Sequence, residues 1–189
     1  MNIYDPYPDK VAANGREYAL NLAYDRVLRC IDMESEPGLT TADKRIVQCA
    51  WILANAEDIP ESATEQAELL RAVFDLFPKS EEKSGERYLD FHQDAAMIRS
   101  AFFRIGVDLT RDKIHFSQFC ELLADLPQDT ALMRTIEIRQ RPIPKPTKDN
   151  AEEIAALQKA KARVAIQMSD EERRARFAES LKNSTVLRG

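Results

Sequence analysis

The chain has two histidines, His92 in "YLDFHQDAAMIRS" and His115 in "KIHFSQFCELL". His92 stands between Asp90 and Asp94, a grouping that could begin a metal site. A metal needs three or four converging N, O or S donors. Asp90 sits where a helix cap belongs, and the acidic residue near His115 at helical spacing is Asp112, so the donor count falls short. Cys120 follows His115 by five residues, which puts it on a different helical face and makes no nucleophile–base pair. The sequence carries no Gly-x-Ser-x-Gly elbow. It also lacks a glycine-rich phosphate loop and a dinucleotide fingerprint. The carboxylate pairs Glu34/Glu36 and Glu81/Glu82 lie in charged loops, where water solvates them. The expectation is a protein that is not an enzyme, with no catalytic residue, cofactor, metal or small-molecule substrate.

The remaining chemistry is that of packing. Cys30, Cys49 and Cys120 are odd in number, far apart and set in apolar helical patterns, so they read as buried reduced thiols. A net charge of −5 argues against a general nucleic-acid binder. Five glycines in 189 residues, with few β-branched runs, favour helices over a sandwich or barrel. The N-terminus "MNIYDPYPDK" has neither a cationic start nor an apolar run, and no stretch approaches a membrane span. The expected location is the cytoplasm, away from membranes.

Periodicity supplies the elements. Asn14-Gly15 is a two-residue hairpin turn, because both central positions need positive φ. Val11 and Ala13 alternate on one side of it, Tyr18 and Leu20 on the other. Tyr24, Val27, Leu28 and Ile31 recur at helical spacing. Thr40 or Thr41 caps a helix with two apolar faces, Ile46, Cys49, Ala50 and Leu53 on one, Val47, Trp51 and Ala54 on the other. Ser62 with Glu65, and Asp90 with Gln93, have the spacing of capping boxes. Ala95, Ile98, Ala101, Phe102 and Ile105 share a face, and Gly106 stands where a helix ends in left-handed backbone. Thr110 is placed to cap the next helix, which runs to Pro127. "DTALMRTIEIR" makes the last core helix.

Pro142, Pro144 and Pro146 force the residues before them into extended backbone, which marks a stiff spacer. Beyond it, Ile154, Leu157, Val164 and Met168 form a thin seam, and Ser169 with Glu172 caps a final charged helix. Residues 148–189 hold nine Lys or Arg against seven Asp or Glu, so this tail is slightly basic on an acidic protein. Glutamates interleave with its arginines, which favours intrahelical pairs over a phosphate-binding stripe.

The stretches "RYLDFHQDAAMIRSAFFRIGVDL" and "IHFSQFCELLADLPQDTALMRTIEIRQRPIP" resemble the bacteriophage gene-product-fifteen family of long-tailed phages and prophages. Its members carry a Tyr-Asp-Phe start, a Gly-Ile-Asp-Leu-like corner, an Ile-His-Trp-Trp-x-Phe helix, a Leu-Pro-x-Asp-Thr turn and an Ile-x-x-Arg ending. Here these correspond to Tyr88 to Phe91, Gly106 to Leu109, Ile114 to Phe119, Leu126 to Thr130 and Ile136 to Arg139. Phe116 and Ser117 stand where a Trp pair is common, and Leu89 splits the start. The resemblance spans residues 8 to 146. It implies a tail assembly chaperone that coats the tape measure protein and hands it to the major tail protein that builds the tube; coating a long helix needs many copies, so self-association is expected as well.

The expected architecture is mostly α: a helical domain with an N-terminal hairpin over 8–141, a Pro-rich linker over 142–149, and a helical arm over 150–189 with room for disorder in it. Candidate partner-binding residues are Phe103, Phe116, Ile154, Leu157, Val164 and Met168. Two other readings stand beside the chaperone: a structural component of the particle, in the tail or connector, and a small nucleic-acid-associated prophage regulator.

Overall fold

The computed structural model describes residues 4–77 and 87–167. It is a mostly α protein with a two-strand N-terminal hairpin, as the composition leads one to expect. Two compact units divide it, bounded Met1–Lys83 with Phe102–Leu126, and Ser84–Ala101 with Pro127–Gly189. Among the described residues no helix is long and apolar enough to cross a membrane.

In the first unit, strands β1 (Lys10–Ala13) and β2 (Arg16–Ala19) pair antiparallel with Val11 opposite Tyr18. Asn14 and Gly15 take φ of 51° and 73°, the left-handed pair that lets two residues turn a twisted hairpin. The hairpin buries Val11, Tyr18 and Leu20 with Val27 and Cys30 of α1 (Tyr24–Asp32), Cys49 and Ile52 of α2 (Thr41–Ile52), and Leu69 and Val73 of α3 (Ala63–Phe74). Caps set the helix starts. Thr40 and Asp43 exchange both bonds of a capping box, and the Ser62 hydroxyl accepts from the Glu65 amide. At the end of α2, the Arg26 guanidinium donates to the carbonyls of Trp51 (2.5 Å) and Ala50 (3.0 Å), supplying partners for carbonyls the helix leaves open.

Several expected core positions, Ala54 among them, are exposed instead. Ile31 is 42% and Ile46 is 46% exposed, so the apolar stripes of α1 and α2 are narrower than their sequences suggest. Ala50 is exposed as well, leaving α2 with one dominant buried face.

Helix α4 (Ala95–Arg104) ends as expected at Gly106, whose φ is +86°. The Val107 amide donates to the Phe102 carbonyl and the Gly106 amide to that of Phe103, the paired bonds of a Schellman cap. Thr110, in contrast, does not cap the next helix. Residues 22–24 pair with 114–116, through Tyr24 N–H to the Ile114 carbonyl and Phe116 N–H to that of Leu22, so this backbone is committed to a short ladder. The intervening turn is organised by Asp108, which accepts from the Thr110 amide and hydroxyl. Helix α5 (Phe116–Ala124) therefore starts later, with His115 as its cap.

The second unit holds the front of α4, α6 (Ala131–Gln140) and α7 (Ala151–Val164). Thr130 caps α6 by accepting from the Met133 amide. Between α6 and α7 the backbone of 142–146 has no regular structure, as the three prolines require. The charged loop over 78–86 and the final charged helix, with its Ser169–Glu172 cap, lie outside the described residues.

Candidate functional site

The residues first suspected of chemistry have structural work. The His115 Nδ1 accepts from the Ser117 amide, and its Nε2 lies 3.2 Å from the Pro8 carbonyl. An accepting Nδ1 leaves the proton on Nε2, so the ring is neutral and donates to Pro8. Its face stacks on Tyr7 at 4.9 Å and 7°, and Tyr7 in turn donates to Glu121 at 2.6 Å. Burial holds the His115 pKa below its ordinary value, against smaller upward pulls from the Pro8 carbonyl and Glu121. His92 belongs to the second unit and His115 to the first. Among the described residues no three His, Cys, Asp or Glu groups converge to hold a metal. Burial pushes Cys30 up to about 12 and Cys49 up to about 11, so neither is a thiolate near neutral pH.

The aromatic residues of the first unit form a packed run. Phe119 stacks on Tyr24 and on Phe102, each at 5.0 Å, and Phe116 meets Phe77 edge-on at 4.9 Å. Phe116, a candidate contact residue, thus packs against the unit's own core. Phe103 is the opposite case, 70% exposed on α4.

Unit two contains the most elaborate polar cluster. Arg139 on α6 grips Asp94 with two bonds, at 2.5 and 2.9 Å, and their side chains are 6% and 0% exposed. The same guanidinium donates to the Tyr88 carbonyl (2.9 Å) and to that of Val164 (2.6 Å), the last residue of α7. Lys161 of α7 donates to the Arg139 carbonyl at 2.6 Å. Asp94 also accepts from the Asp90 amide, while Asp90 accepts from the amides of His92 and Gln93 and pairs with Arg87. The Asp90 side chain thus caps the Gln93 amide as its spacing predicts, while the reciprocal bond to the Asp90 amide comes from Asp94 in place of the Gln93 side chain. The Gln93 carboxamide is turned away to the chain after α7, donating to the Ala165 carbonyl and accepting from the Gln167 amide, both at 2.9 Å.

Beside this cluster, α6 and α7 enclose an open cleft of about 400 Å³. Ile138, Ala156, Leu157 and Ala160 give it an apolar floor, and Arg134, Glu137, Arg141 and Glu153 a rim of both signs. The exposed Arg141–Glu153 pair, at 3.3 Å, bridges the helices and contributes at most about 1 kcal/mol. Leu157 is buried, a placement that stabilises the helix pair by roughly 1.5–3 kcal/mol. Ile154 and Val164 are half-buried on α7, and Met168 lies outside the described residues.

Periodicity picks out Leu157 because it reads apolar faces. It passes over Asp94, Arg139 and Gln93, since a polar residue has no period. The available signals were the four-residue spacing of Asp90 and Asp94 and the arginine closing Ile136-x-x-Arg139. Tyr88, Asp90, Asp94 and Arg139 come from stretches far apart in sequence and meet in one unit.

No curated protein and no solved structure matches the chain. Residues 3–166 match the family described as Bacteriophage Gp15 protein, a match that takes in the hairpin and helices α1 to α7. The chain belongs to the bacteriophage Gp15 protein family.

Proposed function

We propose that this phage-associated protein is a non-enzymatic chaperone of long-tail assembly, acting in the host cytoplasm on the tape measure protein and the tail-tube subunits. The observation that carries the reading is the α6–α7 cleft. Its floor combines two large side chains, Ile138 and Leu157, with the small Ala156 and Ala160, which let a partner backbone approach closely. Charges of both signs on the rim suit a partner whose polar face is mixed. An amphipathic helix has these properties, and it binds such grooves through apolar anchors three and four residues apart. A tape measure is a long helix that repeats such a face. Exposed Phe103 offers a further apolar anchor, within the first unit.

A mass-spectrometric inventory of infected cells and of purified phage particles tests this. A chaperone is abundant in the lysate and absent from the particle. Recovery from particles in a fixed ratio to the tail proteins means a structural component instead.

A further inference from the structure

The way α7 is fastened suggests a second use for it. Only Leu157 among its residues is buried, on a helix that packs against α6. Its far end is held by bonds to main-chain atoms: Arg139 to the Val164 carbonyl, and Gln93 to the Ala165 carbonyl and Gln167 amide. The receiving groups sit on α6 and just ahead of α4, and none needs α7 to come from the same chain. What keeps it in the same chain is the turn at 145–150. There, half-buried Asn150 accepts from the Thr147 amide and donates to the Lys145 carbonyl. Pro142 and Pro144 ahead of that turn, and Pro146 within it, favour extended backbone, which resists folding back.

We propose that α7 is an exchangeable strap, which docks on α6, Gln93 and Arg139 of a second copy of this chain as it does on its own. Every strap contact is regained in the exchange, and only the small Asn150 turn is given up. Reciprocal exchange closes a dimer, whereas one-way exchange links copies into an open row. An open row is the form that could follow a long helical cargo, although the exchange does not depend on what the cargo is.

The test uses the full chain with residues 141–150 deleted, which joins α6 to α7 in one helix and leaves the strap no route back to its own α6. Sedimentation equilibrium should find dimers or longer species, and Leu157→Asp added to the deletion should return them to monomer. A monomeric deletion chain, or association that survives Leu157→Asp, overturns the proposal. Wild-type chain guards against a folding defect in the deletion. Isotopically light and heavy pools, unfolded, mixed and refolded at high concentration, should give mixed-mass dimers by native mass spectrometry, and Leu157→Asp pools should give none. Absence of mixed dimers in the wild type also overturns it.

Discussion

Arg139 donates four hydrogen bonds from a nearly dry site, two of them to Asp94. Removing one member of such a pair leaves the other charge buried without compensation. Arg139→Ala should therefore destabilise the second unit by roughly 3–5 kcal/mol, read as lost amide protection in hydrogen exchange on α6. Arg139→Lys should recover little, because an ammonium cannot span both carboxylate oxygens and a carbonyl at once. The thiols give a separate test. With Cys30 and Cys49 held protonated by burial, alkylation of the native chain at about pH 8 should reach half-buried Cys120 first and the other two only after unfolding. His115 sets a pH dependence. Its folded pKa lies below the ordinary imidazole value, so the unfolded chain binds more protons as pH falls past about 6.5, and stability must drop there. His115→Asn keeps a capping acceptor without titrating. Its urea midpoint should fall less than that of the wild type between about pH 7.5 and about pH 5.5.

Helix ends are the element-scale test. No atom lies within 4 Å of a Cβ built on Gly106, so the cost of Gly106→Ala comes only from its positive φ. That cost should be about 1–2 kcal/mol, measured as a shift in the denaturation midpoint. This end was legible because glycine at a helix terminus has one physical meaning. The hairpin at Asn14-Gly15 and the caps at Thr40 and Ser62 were legible for the same reason, a local residue type answering a local backbone need. The start of α5 was not. Thr110 has cap chemistry, but the backbone of 114–116 is held by residues 22–24, about ninety positions earlier in the chain, and local pattern carries no trace of that pairing. Ile31 and Ile46 fail similarly: a helical stripe gives the direction of the apolar face but not the width that the neighbours cover.

At the scale of the whole molecule, the family followed from motifs whose work is structural: Gly106 ends a helix, Thr130 begins one, and Arg139 ties α6 to Asp94 and to the end of α7. The candidate site was half legible. The seam through Leu157 marked α7 as a contact helix, while the cleft needed Ile138 from α6 opposite it, a tertiary pairing. The central claim is that this cleft receives a helix of the tape measure protein. Co-expression of the two proteins, followed by capture of the tagged chain, tests it most directly. The tape measure protein should become soluble and co-purify with the wild type, and Ile138→Asp should abolish both effects while the chain itself stays folded. A tape measure protein that stays insoluble beside the wild-type chain, or co-purifies equally with Ile138→Asp, would contradict it.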